Sequence, residues 1–355
     1  MIRIATVFSG IGAAEQALKQ LGVDHRIVFA CDNGERYLKQ TTEDIESLLI
    51  GKEDAEIQEI INALYEKTNK PNNVKASYVA NYGDILEDWY EDIRFLNGNK
   101  YKGDVDIIVG GSPCQSFSTY GKRKGLEDTR GTLFYDYARL IKEVNPKVFI
   151  FENVTGLLNH DKGRTWEIIK EVFESLNYNI SYDVLDAQYY NLPQMRKRLF
   201  VIGVRNDIKT KFMFPEQVAL EKVASEYLDE EVDNKYYLPL KGFNYVTDGE
   251  RNEGRARVNR DIIGCQTANQ QFNWTGDFRV EKPKKCHMDD DRIHKGYFNG
   301  ELSVARKLTP KECLRLMGFE DFKIVVPDQV MYRQSGNSIA VPVLKAIFKK
   351  IFEVI

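Results

Sequence analysis

The chain is short of cysteine and histidine and has no long apolar run, and each shortage excludes a class of protein. Its 355 residues include five cysteines, Cys31, Cys114, Cys265, Cys286 and Cys313, scattered with no CxxC pair. An odd, dispersed set makes neither a disulfide framework nor a zinc knuckle. No stretch approaches the roughly 18 apolar residues that a membrane span needs. The opening MIRIATVFSGIGAAEQAL is interrupted too early by Gly and Glu for a signal peptide. The expectation is a soluble, intracellular protein. Only four histidines occur, His25, His160, His287 and His294, and no repeat or low-complexity tract is found. What is present is ordinary for a globular chain: 43% hydrophobic and 29% charged residues. At about 100–200 residues per domain, the length allows two lobes.

A surplus of one charge is missing too, since 50 Lys+Arg face 53 Asp+Glu for a net charge of -3. The distribution is less even. Residues 43–66 carry eight acids and one lysine, 84–92 five acids and no base, and 216–233 seven acids and one lysine. The rest of the chain is therefore positive, with basic clusters at 122–124, 196–198, 255–260 and 279–285. A polyanion responds to the local field of a cleft, which a near-neutral total hides. Solvated faces are the other reading of such clusters.

The first 205 residues alternate between two patterns. IRIATVF, IVFAC, VDIIVGG, KVFIFEN and RLFVIGV have the length and β-rich composition of buried strands, while AAEQALKQLG, LFYDYARLIKEV and TWEIIKEVFESL read as helices. This predicts a doubly wound α/β sheet, which binds ligands at the carboxyl ends of its strands. Residues 43–70 read as a charged helical excursion, a surface insertion between core units. From 206 to 303 Pro, Gly and Asn break the pattern into short runs, as suits a recognition module. LTPKECLRLMGF reads as a short helix capped by Thr309 with Pro310 at its first position. SIAVPVLKAIFKKIFEVI reads as an amphipathic helix that packs back on the first lobe.

FSGIG places Gly10 and Gly12 where a backbone must approach a ligand closely. It is not a dinucleotide fingerprint, because Glu15 stands where G-x-G-x-x-G has its third glycine. Asp32 closes the next strand, and Asp84 follows Gly83 in Gly83-Asp84-Ile85. A glycine turn with two strand-end acids fits a nucleoside without phosphates, such as S-adenosylmethionine. A tight turn with two surface acids is the alternative. Gly110-Gly111-Ser112-Pro113-Cys114-Gln115-Ser116-Phe117-Ser118 follows VDIIV directly. A cysteine after Pro at a strand end sits in an exposed turn, where nucleophiles are commonly placed, and an electropositive site would stabilise its thiolate. A buried structural thiol is the other reading. No histidine lies beside it, so a Cys-His hydrolase has little support. STYGKRKGLEDTRG looks like a mobile basic lid. Cys286, His287 and His294 are poor metal candidates, and no metal site is expected.

Taken together these stretches resemble the cytosine-5 DNA methyltransferase family, of bacterial or phage modification type. FSGIG is similar to the family's cofactor turn, SPCQSFS to its nucleophile loop, RGTLF (130–134) to the segment after it, and Glu152-Asn153-Val154 to its ENV motif. Gln194-Met195-Arg196-Lys197-Arg198 before LFVIG is similar to its QxRxR strand, ARKLTPKECLRLMGF to its penultimate motif, and Gln334-Ser335-Gly336-Asn337-Ser338 to its last. All stand in family order, leaving 35–80 and 206–303 variable. There are departures: Asn191 replaces a frequent Gly and Lys197 a frequent Glu. In 206–303 no Thr precedes Leu, Val or Ile, the nearest dipeptide being Thr267-Ala268.

The resemblance implies an α/β, Rossmann-like S-adenosylmethionine-dependent catalytic domain (1–205 plus 331–355) and a smaller, loop-rich target-recognition domain (206–330). It implies that Cys114 attacks C6 of cytosine, that Glu152 holds N3 and the exocyclic amine, and that Arg198 binds near O2 and favours the thiolate, with Arg196 beside it. Addition at C6 puts negative charge on N3 and C5, so a donor at N3 is required whatever the family. Phe8, Ser9, Gly10, Gly12, Asp32, Asp84, Ile85, Pro113, Leu133, Asn337 and Ser338 match the family's cofactor pocket. The base must be flipped out of the duplex to expose both faces. Expected DNA contacts are Gln115, Ser118, Lys122 and Arg123 in the lid; Arg255, Arg257, Gln266, Gln270 and Gln271 at base edges; and Lys282, Lys284 and Lys285 at phosphates. Double-stranded DNA is the expected partner of a monomer that touches no membrane and works in the bacterial cytoplasm, or in the host cell if phage-encoded. A restriction endonuclease cutting the same site, without direct contact, goes with this reading. The rivals are a tRNA cytosine-5 methyltransferase on the same fold and a catalytically idle DNA-binding module.

Overall fold

Runs rich in Ile, Val and Phe form the middle of a seven-stranded sheet. In chain order its elements are β1 (Ile2–Val7), α1 (Ala13–Gln20), β2 (His25–Cys31), α2 (Thr42–Leu49), α3 (Asp54–Glu66), α4 (Asn73–Tyr82), β3 (Leu86–Tyr90), β4 (Ile107–Gly110), α5 (Leu133–Val144), β5 (Val148–Val154), α6 (Arg164–Ser175), β6 (Tyr178–Asp186) and β7 (Lys197–Arg205). The computed structural model describes residues 1–113, 133–252 and 254–355. The strand order is β3-β2-β1-β4-β5-β7-β6, parallel from β3 to β5, with β7 antiparallel to β5. The chain runs outward from β1 to β2 and β3, then returns to place β4 on the other side of β1. That reversal is the topological switch point, where open α/β sheets hold ligands. Aromatic rings from α5, β5 and α6 (Phe134, Tyr137, Phe149, Phe151 and Phe173) interlock beneath it, all fully buried. Truncating one of them to Ala is expected to cost about 3–5 kcal/mol.

Internal contacts divide the chain into two units: Met1–Leu185, Lys197–Pro215 and Leu344–Ile355, and Asp186–Arg196 with Glu216–Val343. The second contains α7 (Leu240–Thr247), α8 (Gly249–Asn252), β8 (Ala256–Val258), β9 (Gly276–Glu281), α9 (Lys285–Met288), β10 (Gly296–Phe298), β11 (Glu301–Lys307), α10 (Pro310–Arg315) and α11 (Asp328–Asn337), and the division falls in the first turn of α12 (Val341–Phe352). Its four-stranded sheet, ordered β10-β11-β9-β8, covers a small core of Leu238, Phe243, Val246, Phe278, Val280 and Ala305. Thr309 caps α10 as its sequence predicts, accepting from the Glu312 N–H at 3.2 Å, while Glu312 pairs with the buried Arg306 at 2.9 Å.

The structure differs from the sequence expectation in three places. β3 and β6 are strands that the apolar-run criterion passes over. They are the two edges of the sheet, and LEDWY and YNISYDVLD carry the polar residues that edges favour. The stretch read as loop-rich holds a sheet with its own core. The unit limits also differ, at 186–196, 206–215 and 331–343. Among the described residues no helix is long and apolar enough to cross a membrane.

Candidate active site

Where β1 ends, the backbone enters the left-handed region, with φ of 53° at Phe8, 53° at Gly10 and 81° at Gly12. A non-glycine residue held there costs about 1–3 kcal/mol and persists only where its surroundings impose it. The Ser9 hydroxyl imposes it here, accepting the Cys31 N–H at 3.1 Å and donating to the Thr6 carbonyl at 3.0 Å. At Gly10 a Cβ would meet nothing closer than the Phe8 carbonyl at 4.0 Å, so the turn leaves open space above it. Asp32, at the end of β2, accepts the Gly10 N–H at 3.0 Å on one carboxylate oxygen and the Gly34 N–H at 2.8 Å on the other. Desolvation pushes this carboxyl above the ordinary aspartate range, and the two backbone donors pull it back. Asp84 and Ile85 are exposed in the 3₁₀ turn after α4, Pro113 is exposed after β4, and Leu133 opens α5 half-buried. A nucleoside with hydroxyl donors and an apolar base face fits this set: an open glycine turn, a strand-end carboxylate and half-exposed apolar groups.

Beside it, β4 ends in two glycines that no other residue could replace without moving the sheet. A Cβ at Gly110 would press on the Val7 carbonyl at 2.9 Å, and one at Gly111 would collide with the Glu152 carbonyl. Glu152 therefore lies against the start of the Ser112-Pro113 segment. In the antiparallel β5–β7 register Glu152 faces Phe200 and Val154 faces Arg198, so Glu152 and Arg198 are diagonal neighbours on one face. Their side chains pair, Arg198 Nε to Glu152 Oε1 at 3.1 Å, and are 18% and 14% exposed. A carboxylate and a guanidinium are thus held together but still reachable. Asn153 is quoted in the ENV motif with no role of its own. It is buried and donates through Nδ2 to the Ser112 carbonyl at 3.0 Å, tethering the segment that leads into Cys114. Its signal was the Asn following a strand-end acid. Cys114, Gln115, Ser118, Lys122 and Arg123, and with them the expected lid, lie outside the described residues.

Several expectations need correcting. Arg196 is 3% exposed, and its guanidinium donates to the carbonyls of Gln266 at 2.8 Å, Gly336 at 3.1 Å and Ser338 at 2.5 Å. It is a clasp inside the second unit, and none of these acceptors is a reacting atom. Arg196→Met should leave three buried carbonyls short of a donor and destabilise the chain by about 3 kcal/mol or more. Urea unfolding of the two proteins checks this, and an unchanged midpoint would return the guanidinium to the chemistry. Gln266, Gln270 and Gln271 are 4%, 4% and 2% exposed. Their amides donate to the carbonyls of Cys313, Tyr332 and Asp277 at 3.1, 2.8 and 2.8 Å, so these donors are spent on backbone carbonyls inside the second unit. Arg257 is held by Asp277 at 2.8 Å, and the Lys284 ammonium donates to the Glu230 carbonyl. Arg255, Lys282 and Lys285 are exposed as expected. Within the second unit Asn337 ends α11 exposed, and Ser338 is buried. His287 accepts the Lys284 N–H and lies against Tyr237, while His294 packs on Phe243.

The sequence was compared with known proteins. The family model described as C-5 cytosine-specific DNA methylase matches residues 2–353. Type II methyltransferase M.SsoII of Shigella sonnei is 38% identical over 302 residues, covering 81% of this chain and 76% of that protein. Type II methyltransferase M.HpaII of Haemophilus parainfluenzae is 36% identical, covering 78% and 79%. Among solved structures, a mutant of Spodoptera frugiperda DNMT2 superposes with a TM-score of 0.70 at 20% identity, covering 99% of this chain and 100% of that one. That last likeness concerns the fold.

Proposed function

This chain belongs to the C-5 cytosine-specific DNA methylase family, and from that membership we propose how its own residues carry out the reaction. It is a DNA (cytosine-5-)-methyltransferase with an S-adenosylmethionine-dependent α/β fold. S-adenosylmethionine supplies an electrophilic methyl group. The observation that carries the reading is the largely buried but reachable Glu152–Arg198 pair beside the Gly110-Gly111 strand end. In this reading the Cys114 thiolate adds to C6 of a cytosine turned out of the duplex. Glu152 delivers a hydrogen bond or proton at N3 as charge develops there, and Arg198 holds O2. C5 becomes electron-rich as a result. After alkylation, loss of the C5 proton with expulsion of Cys114 restores the aromatic ring. The donor would be held by Phe8, Ser9, Gly10, Gly12, Asp32, Asp84, Ile85, Pro113 and Leu133 of the first unit.

The second unit would read the duplex, with Arg255, Lys282 and Lys285 among its exposed cations. Alanine at Arg255 should weaken binding to the cognate duplex only, by about 1–3 kcal/mol, while alanine at Lys282 and Lys285 should weaken binding to all sequences alike and flatten its salt dependence by about one counterion for each phosphate no longer neutralised. Titration of cognate and scrambled duplexes over a salt series measures this. A loss confined to the cognate duplex would make the two lysines base readers instead. Type II modification or phage DNA protection is the proposed setting, in the bacterial cytoplasm or an infected host, with the chain acting as a monomer. A restriction enzyme of the same specificity belongs to that setting. Transfer of labelled methyl to plasmid duplex and to bulk tRNA, followed by bisulfite sequencing, tests the whole reading. Label on tRNA alone would replace DNA by tRNA as the substrate, and label on neither would leave an idle binding module.

A further inference from the structure

The sequence assigns 43–70 to a surface insertion and leaves the whole 35–80 stretch without a role, yet the structure divides it. α2 and α3 build a small core of their own from Ile45, Ile61, Leu64 and Tyr65. α4 does something else. Its buried residues are Ser77, Tyr78 and Tyr82, a polar face that hydrophobic burial alone does not explain, and each end and the middle of that face meets a different part of the glycine-turn site.

At its N-terminus Asn72 caps the helix, accepting the Lys75 N–H at 2.9 Å, and its amide donates to the Asp32 carbonyl at 2.9 Å and to Glu91 at 2.8 Å. Asp32 is the residue whose carboxylate receives the Gly10 and Gly34 N–H groups. In the middle, the Tyr78 hydroxyl donates to Glu15, which also accepts from Thr6 at 2.9 Å under the turn. Glu15 is fully buried, and desolvation raises its carboxyl above the ordinary value. At the C-terminal end the Tyr82 ring closes the space behind Gly12, where a Cβ would fall inside the ring, and its hydroxyl donates to Gln16 at 2.9 Å. The next residues are Gly83, Asp84 and Ile85.

We infer that α4 is a strut of the methyl-donor site, and that Asn72, Tyr78 and Tyr82 are positioning residues for S-adenosylmethionine. The inference rests on the reading of the glycine turn, Asp32 and Asp84 as that site. These three side chains do not touch the donor. They fix the three backbone segments that do, so donor affinity is set partly by how rigidly α4 holds them.

The test uses the full chain with Asn72→Ser, Tyr78→Phe, Tyr82→Ala and Tyr82→Phe. Serine still caps α4 but cannot bridge Asp32 and Glu91, and Tyr82→Phe keeps the ring behind Gly12. Calorimetric titration with S-adenosylmethionine should show affinity about tenfold weaker for the first three, corresponding to about 1.4 kcal/mol, and rescued to within about twofold in Tyr82→Phe. KM for the donor should rise while kcat at saturating donor and duplex affinity stay within about twofold. Donor affinity unchanged in all four would overturn the inference. So would losses in melting temperature, kcat and duplex affinity that track one another, because those belong to a merely structural helix. If the native chain takes up no donor, the reading of the site falls first, and α4 with it.

Discussion

Glu152→Gln is expected to lower the single-turnover rate of methyl transfer by about 10²–10⁴-fold, the usual span for losing a positioned acid–base group, while donor and duplex affinities change little. The substitution is nearly isosteric. Glutamine keeps an oxygen for the Arg198 Nε–H, now 3.1 Å from Glu152 Oε1, so the β5–β7 corner should hold its shape. What is lost is a transferable proton. Charge that develops on N3 when C6 is attacked can then be met only by a neutral amide donor, which stabilises it less than a carboxyl able to pass its proton on. Because the interaction matters in the transition state and little in the ground state, kcat should fall with KM nearly constant. Arg198→Lys separates the partners further. An ammonium cannot reproduce the planar fork, and Glu152 loses its fixed orientation with it. Rapid-quench measurement of labelled methyl transfer gives the number. A rate within tenfold of native for Glu152→Gln would take Glu152 out of the chemistry and leave it as a strand-end ion pair.

How much of this was legible in the sequence depends on what kind of signal each residue carries. Strands buried on both faces announce themselves as apolar runs, and β1, β2, β4, β5 and β7 were readable for that reason. β3 and β6 were not, because an edge strand has a solvated side and a composition that hides it; Glu87 in β3 pairs with Arg26 on the next strand at 2.6 Å. Glu152 and Arg198 were legible as motif members, and their pairing follows from an antiparallel register that no local pattern reveals. The glutamines at 266, 270 and 271 misled for a physical reason. A cluster of amides in a polar, glycine-flanked stretch looks like a hydrogen-bonding surface, and these amides are used inward, on carbonyls of α10, α11 and β9. Arg196 misled in the same way. The sequence shows that a donor is present but not which acceptors lie nearby, and Gly336 and Ser338 are 140 or more residues away. Asn72 and Tyr78 carried only the weak signal of an N-cap ahead of a helix, and their value comes from contacts to Asp32 and Glu15 far along the chain.

Cys114→Ser is expected to abolish turnover, by about 10³-fold or more, with S-adenosylmethionine binding preserved. At neutral pH a cysteine is a few per cent thiolate even when unperturbed and is intrinsically nucleophilic, whereas a serine hydroxyl needs an adjacent base. Among the described residues the site offers a carboxylate and a guanidinium but no histidine to take the proton: His25 bonds the Val23 carbonyl and His160 the Thr165 hydroxyl. In the proposed mechanism the Arg198 charge would favour a thiolate and would do little for an alcohol. The chain leading to Cys114 is already fixed at Ser112 by Asn153, so Asn153→Ala should show a smaller loss of the same kind, from a nucleophile present but poorly aimed. The positive counterpart uses duplex DNA synthesised with 5-fluorocytosine at every cytosine, which requires no knowledge of the target sequence. Once the thiolate has added to C6 and C5 carries the methyl group, release requires loss of a proton from C5. Fluorine cannot leave as a cation, so the sulfur–carbon bond stays. A band of protein joined to DNA should survive denaturing electrophoresis with the native chain and the donor, and be missing with Cys114→Ser. Peptide mass mapping that put the attachment on any other residue, or substantial methylation by the serine variant, would remove Cys114 from the mechanism.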